Sequence, residues 1–370
     1  MSNPKIIAFY LPQYHPTPDN DKWWGKGFTE WTNVGKAKPL FPGHYQPKVP
    51  ADLGYYDLRL PEVREAQAEL AKEAGIYGFC YYHYWFGNGK QELELPFNEV
   101  LRLGKPDFPF MLCWANESWH RKFWNKDGKG TSKEILVEQT YPEGDIEKHF
   151  YHLLPAFRDS RYIKIDGKPA FMIYKPLEFK GIEKFIKIWN ELALKEGLKG
   201  IFFIGYLWQD INQSSIDSYN RIGFNATSTL GFWDALWQSQ NIISQINTFI
   251  RKYIPHMPHI WPSTVDYRRF TEKVFTQYDS AENVFPTIIP NWDHSPRSGK
   301  GGIVVKHSTP QTFKRQLQKL LQITKGKDNN IVFLKSWNEW GEGNYVEPDL
   351  KYGKGYLEVI QEVISQEENH

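Results

Sequence analysis

The stretch IVFLKSWNEWGEGNYVEP, residues 331–348, starts with four apolar residues and ends in a loop crowded with carboxylates, indoles and glycines. The apolar run is continuous and not alternating, so it reads as a strand buried on both faces, as in a parallel sheet covered by helices. Directly after it stand Glu339 and Glu342, set among Trp337, Trp340, Gly341 and Gly343. In an α/β barrel the loops after the strands carry the chemistry. The two glycines let the backbone turn tightly and approach a ligand. A carboxyl against an indole wall is favoured in its protonated form, as a general acid needs, and one in a polar setting stays ionised and serves as base. Two carboxyl groups in divergent surroundings are the chemistry of glycoside hydrolysis. The competing reading is a solvated acidic loop.

Working outward, short apolar runs alternate with amphipathic stretches. Strands are predicted over 5–11, 76–82, 108–114, 169–174, 200–206, 222–227, 284–289 and 330–337. Helices are predicted over 60–74, 95–103, 145–157, 182–196, 311–324 and 355–365. Asp166-Gly167 marks a turn before the fourth strand. Eight β-α units in 370 residues imply the α/β class, a (β/α)8 TIM barrel with residues 1–370 as a single catalytic domain. Two segments exceed ordinary loop lengths, near 12–56 and 230–277. Both are rich in aromatics and are expected as ordered insertions walling a cleft at the C-terminal face. An open doubly wound sheet would want a glycine-rich phosphate loop after an early strand. The first strand is followed instead by Pro12-Gln13-Tyr14-His15-Pro16, so no nucleotide cofactor is expected.

Hydrophobic residues are 41% and charged residues 24%, a globular composition. A net charge of +2, with scattered basic residues, argues against a nucleic-acid or membrane partner. Cys80 and Cys113 sit in apolar runs and read as buried, reduced thiols. No HExxH or other close metal spacing joins His15, His83, His120 and His294, so no metal site is expected. There is no GxSxG elbow for a serine nucleophile. The first apolar run is six residues, too short for a secretory core or a membrane span, and the chain as given reads as cytoplasmic; one with a leader removed would read the same.

Aromatics reach 16%, with 15 Trp and 21 Tyr. A core cannot use so many rings with polar tips, since each buried N–H or O–H needs a partner. A cleft lined with flat faces and polar tips suits a sugar, and a polysaccharide or oligosaccharide is the expected partner. The expected strand ends agree. They carry Tyr10, Gln13 and His15, then His83 and Trp85, then Trp114, Asn116 and Glu117. Tyr174, Tyr206 and Trp292 follow, and Trp337 and Asn338 flank the glutamates. With Trp24 from the first insertion, these are the expected substrate-binding residues, and Glu339 and Glu342 the expected catalytic ones. A second pairing stays open. Asn116-Glu117 after the third strand repeats the dipeptide Asn338-Glu339, which would make Glu117 the acid opposite Glu339.

The motifs AFYLPQYHPTPDNDKWWGKGFTEWTNV, GIYGFCYYHYWF, LCWANESW and SWNEWGEGNYVEPD, in this order, resemble the WbsX-like proteins, often described as glycosyltransferases of lipopolysaccharide O-antigen clusters. That group is related to glycoside hydrolase family 99, the endo-acting α-mannosidases. The resemblance implies a (β/α)8 barrel that cleaves α-linked sugars with retention and without a covalent glycosyl-enzyme. Glu339 then resembles the base that takes the proton of the sugar's own 2-hydroxyl, which attacks the anomeric carbon. Glu342 resembles the acid/base that protonates the leaving oxygen and later activates water. The family 99 motif reads Glu-Trp-His-Glu-Gly-Thr. Here Gly341 replaces the histidine and Asn344 the threonine, which puts mannose specificity in doubt.

Three functions remain open: an endo-acting glycoside hydrolase, a glycosyltransferase, and a non-catalytic carbohydrate-binding protein. A transferase using nucleotide sugars would want a nucleotide-binding half or an Asp-x-Asp metal motif. Asp107, Asp210 and Asp293 have no second aspartate at that spacing. A mere binder would not need an acid pair between indoles. The hydrolase is the preferred reading.

Overall fold

The computed structural model describes residues 4–121, 134–240, 245 and 261–368. Eight parallel strands form its centre: β1 Lys5–Tyr10, β2 Gly78–Trp85, β3 Phe110–Trp114, β4 Lys168–Ile173, β5 Phe202–Leu207, β6 Ala226–Thr229, β7 Val284–Ile288 and β8 Ile331–Leu334. Each pairs with its neighbours in sequence, and β1 pairs with both β2 and β8, so the ring closes without an edge. A helix follows each strand, α1 Pro61–Glu73, α2 Leu95–Leu103, α3 Asp145–Arg158, α4 Ile182–Lys195, α5 Gln213–Ile222, α6 Tyr267–Lys273, α7 Pro310–Thr324 and α8 Gly355–Glu368, with the shorter Phe232–Ser239 and Ser295–Ser298 in the connections after β6 and β7. This is the (β/α)8 barrel that the apolar runs predict.

The helices form where a single apolar stripe can face the strands. In α7 the buried residues Phe313, Gln316, Leu317, Leu320, Leu321 and Thr324 recur at helical spacing. Thr309 caps its start, accepting from the backbone N–H of Thr312 at 3.2 Å, and Pro310 fills the first turn, where its missing N–H costs nothing.

Alternation along the strands decides which side chains reach the barrel interior. Phe9 of β1 points inward and meets Tyr82, Phe333 and Tyr206 at centroid distances of 5.4, 5.5 and 5.9 Å. Its neighbour Tyr10 points outward, and its hydroxyl donates to Gln67 of α1 at 2.6 Å. Cys80 and Cys113 are buried and unbridged, and burial raises the Cys80 thiol pKa, as expected of inert thiols.

One region departs from expectation. The sixth strand is Ala226–Thr229, not 222–227, and α5, which was not predicted, runs through Ile222. Helix α5 is held by its ends. The Asn212 side chain accepts from Ser215 N at 3.0 Å, and Gly223 closes it at φ 109°. Only Ile216 and Tyr219 of α5 are buried, too few to show a periodic stripe. The first long insertion carries two short helices, Pro18–Trp24 and Glu30–Lys36. Of the second, 241–244 and 246–260 lie outside the described residues.

Candidate active site

A cavity of about 860 Å³ opens where the strands end. Its floor is set by inward-facing strand residues, among them Tyr82, Tyr84, Tyr206 and Lys335, with Glu339 and Glu342 beside them. The loop that carries the glutamates is fixed before it reaches them. The Asn338 side chain accepts from Leu11 N at 2.7 Å and donates to Leu11 O at 3.1 Å, clamping the end of β8 to the end of β1. Residues 338–339 and 344–345 pair as a small hairpin. Asn344 Nδ2 donates to the carbonyls of Lys335 and Asn291, each at 2.7 Å.

Glu339 is 5% exposed, so its charge depends on its partners. Its Oε2 accepts from Lys335 Nζ at 2.7 Å and Ser336 Oγ at 2.8 Å. Lys335 also donates to the Tyr82 hydroxyl at 3.0 Å. Burial works against the ammonium, but the charges of Glu339 and then Glu342, with Tyr174 and Tyr206, together outweigh it and raise its pKa above the usual lysine value. Burial, then the Glu339 charge, hold the Tyr82 hydroxyl pKa well above its ordinary value, so its proton stays on.

Arg297 joins both glutamates to a third. Its Nη1 donates to Glu342 Oε1 and lies 4.0 Å from Glu339 Oε1. Its Nε and Nη2 form a fork on the two oxygens of Glu30, at 3.1 and 2.9 Å, and Glu30 is fully buried. This pair explains Gly341. A Cβ there would lie 1.8 Å from Glu30 Oε1, so the space where the related motif has a histidine is filled by an ion pair. His294 lies 3.7 Å from Glu342 Oε1. Burial, then the Arg297 charge, pull its pKa down to about 4, so the ring is neutral and this contact is not an ion pair.

The expected binding residues separate by strand parity. Gln13, Trp24, Glu117, Tyr174, Tyr206 and Trp292 line the cavity with the two glutamates. Tyr10, His15, His83, Trp85, Trp114, Asn116, Trp337 and Asn338 do not. On β2, Tyr82 and Tyr84 face inward, which turns His83 and Trp85 outward onto α3. There His83 meets His149 at 2.8 Å and Trp85 donates to Asp145 at 2.9 Å. Trp114 stacks on Phe185 of α4 at 5.2 Å. His15 is buried and donates to Pro12 O at 3.0 Å. Trp337 packs on the outward Phe79 at 5.3 Å. Asn116 does at β3 what Asn338 does at β8: it donates to Lys175 O at 2.8 Å and accepts from Lys175 N at 2.7 Å. In both Asn-Glu dipeptides the amide locks onto a neighbouring strand end and the glutamate faces the cavity. Glu117 sits at the rim, its carboxylate 2.9 Å from Lys175 Nζ.

The expected indole wall around the glutamates is absent. Trp337 and Trp340 are turned into the core. Trp340 stacks on Tyr345 at 3.7 Å and donates to Glu347 Oε2 at 2.6 Å. Cations, not indoles, surround Glu339 and Glu342. The buried carboxyl against indole is instead Glu347, outside the cavity. Burial raises its pKa to about 7, against hydrogen bonds from Trp340, Gln67 and Tyr56 that favour the carboxylate. An unfolded glutamate titrates near 4.5, so the folded protein keeps a proton that the unfolded chain releases between about 4.5 and about 7. The stability this proton gives is full below that window and is lost as pH rises through about 7. Glu347→Gln is expected to flatten the fall in thermal midpoint from pH ~5 to ~8. Equal slopes for variant and wild type would refute the assignment.

Glu30, Arg297, Lys335, Tyr82 and Tyr84 went unpicked in the sequence. Also unpicked was Asp19-Asn20-Asp21, the chain's one Asp-x-Asp. Its carboxylates are engaged elsewhere. Asp19 pairs with Lys90 at 2.6 Å, Asp21 accepts from Gly27 N at 2.8 Å, and of the three only Asn20 lines the cavity. Among the described residues no group of three or more His, Cys, Asp or Glu side chains is placed to hold a metal ion, and no helix is long and apolar enough to cross a membrane.

Comparison with known proteins agrees with this barrel. Two Xanthomonas campestris pv. campestris proteins, each described as uncharacterized protein WxcX, are 32% identical over 365 residues. The match covers 98% of this chain, which spans about half (50%) of their length. A solved structure described as a glycoside hydrolase-like protein superposes with TM-score 0.63 at 14% identity, covering 98% of this chain and 94% of that one. The family 99 endo-α-mannosidase of Bacteroides thetaiotaomicron, solved with bis-tris-propane, gives TM-score 0.57 at 14% identity, covering 98% and 96%. The profile of the family described as glycosyltransferase WbsX matches residues 6–360, and the chain belongs to that family.

Proposed function

We propose that the protein is a carbohydrate-active enzyme of the hydrolase type, which cuts an α-linked bacterial polysaccharide internally and with retention. Glu339 is the base, acting on the substrate's 2-hydroxyl, and Glu342 the acid/base. The observation that carries this reading is the pair of glutamates bridged by one guanidinium on the floor of an aromatic cavity. Lys335 and Ser336 hold Glu339 through Oε2, which leaves Oε1 to take a proton. Arg297 meets Glu342 through Oε1, and we assign Oε2 to the leaving oxygen. Because Glu30 already balances the Arg297 charge, Glu342 can gain a proton without stranding a buried cation. Two ring pairs, Tyr84 with Trp119 and Phe232 with Trp292, line the same cavity as the glutamates, which favours a chain bound across its middle.

The second reading is transfer from a nucleotide sugar, which the family's description favours. Against it, the Asp19 and Asp21 carboxylates are engaged away from the cavity. The test is reducing-end release from α-mannans and O-antigen polysaccharides without nucleotide sugars. Release by wild type that Glu339→Gln and Glu342→Gln both abolish is the expected result. Chain extension only when nucleotide sugars are added would overturn it in favour of transfer.

A further inference from the structure

We propose that Asn20, Trp23 and Trp119 form a second sugar subsite in the cavity, which takes a neutral pyranose unit of the same glycan away from the glutamates. This rests on the glycan-cleaving reading above. Asn20 lies on the short helix Pro18–Trp24, 1% exposed and against the cavity. Neither its Nδ2 nor its Oδ1 has a hydrogen-bond partner among the described residues. A buried amide left so is costly, and native proteins keep few of them. An apolar residue would serve the fold better, so the amide is explained by something that enters the cavity.

The surroundings fit a sugar. Trp23 and Trp119 meet at 6.1 Å and 71°, making an aromatic corner. Tyr84 packs on Trp119 at 5.1 Å, and Tyr82 lies 6.3 Å from Tyr84. Tyr82 accepts from Lys335, which holds Glu339. A run of rings thus joins the corner to the reacting centre while keeping the two apart. The carboxamide offers one donor group and one acceptor side by side, the pattern that two adjacent hydroxyls satisfy. The aspartates on either side of Asn20 do not line the cavity, so the helix presents no charge there, and the favoured unit is neutral.

The test uses the full chain carrying Glu342→Gln, so that ligands survive. Oligosaccharides of increasing length, from partial acid hydrolysis of α-mannan and O-antigen polysaccharides, are titrated calorimetrically. Added Asn20→Ala or Trp119→Ala is expected to lower affinity about tenfold for the longer members and not for the shortest. Asn20→Asp, which keeps the shape and loses the donor, is expected to fall between. Asn20→Ala is also expected to melt no lower than its parent, since it removes an unpaired buried amide. Unchanged affinity at every length would overturn the subsite and leave the glycan reading standing. So would a lower melting point with losses at all lengths, the mark of a structural role. No binding of any member by the parent would overturn the glycan reading itself and the subsite with it.

Discussion

Glu342→Gln is expected to lower turnover on a glycoside with a poor leaving group by about 10²–10⁴-fold, because the proton donor to the departing oxygen is gone. An activated aryl leaving group needs little protonation, so the loss there is expected to be much smaller. Glu339→Gln acts on the other partner of the reaction and is expected to depress both substrates alike. The contrast separates the roles. Equal losses on both substrates in Glu342→Gln would remove it from the acid role, and unchanged rates in Glu339→Gln would exclude it as base. Gln at 342 can still lie against Arg297, so that change removes chemistry and leaves packing. Gln at 339 leaves the buried Lys335 ammonium without its nearest counter-charge, so its rates are read at a temperature where its melting curve shows it folded.

The largest effect on stability is expected at Arg297. Arg297→Met leaves Glu30 fully buried without its guanidinium, and breaking a buried pair by removing one partner costs about 3–5 kcal/mol. Replacing both, Glu30→Met with Arg297→Met, removes the stranded charge and is expected to recover most of that loss. Activity is not expected to return, since Glu342 still lacks the group it rests on. Urea unfolding of wild type, Glu30→Met, Arg297→Met and the double variant gives the coupling directly. If Arg297→Met unfolds at the wild-type midpoint, or if the losses are simply additive, the pair is not the structural unit described above.

The barrel was legible in the sequence because strands covered on both faces must be apolar throughout, and such runs are easy to see. The same property hid the site's side chains. In GFCYYHYW every residue suits a buried strand, so nothing in the string shows that Tyr82 and Tyr84 face inward while His83 and Trp85 face α3. Trp337 and Trp340 drew attention as a wall for the glutamates, yet burial sends them the other way. Glu339 and Glu342 were legible because they follow the last strand directly. Glu30 and Arg297 were not, since 267 residues separate them and only folding makes them one group. Asn116 and Asn338 were seen as ligands because their type suits a sugar, but main-chain groups of the barrel use their hydrogen bonds first.

Those two asparagines have a consequence for how such a protein changes over time. Each ties the backbone just before a glutamate to the end of an adjacent stave, Lys175 in one case and Leu11 in the other. The backbone at each acidic tip is thereby referenced to the frame. Segment 12–56 must still keep Glu30, which holds Arg297 against Glu342, but the part of 230–277 that precedes α6 can be rewritten or exchanged between relatives while the reacting groups keep their spacing. On the glycan-cleaving reading, diversity in the recognised polymer and constancy in the bond-breaking step then become separately adjustable, and chimeras exchanging that part are where the separation would be seen.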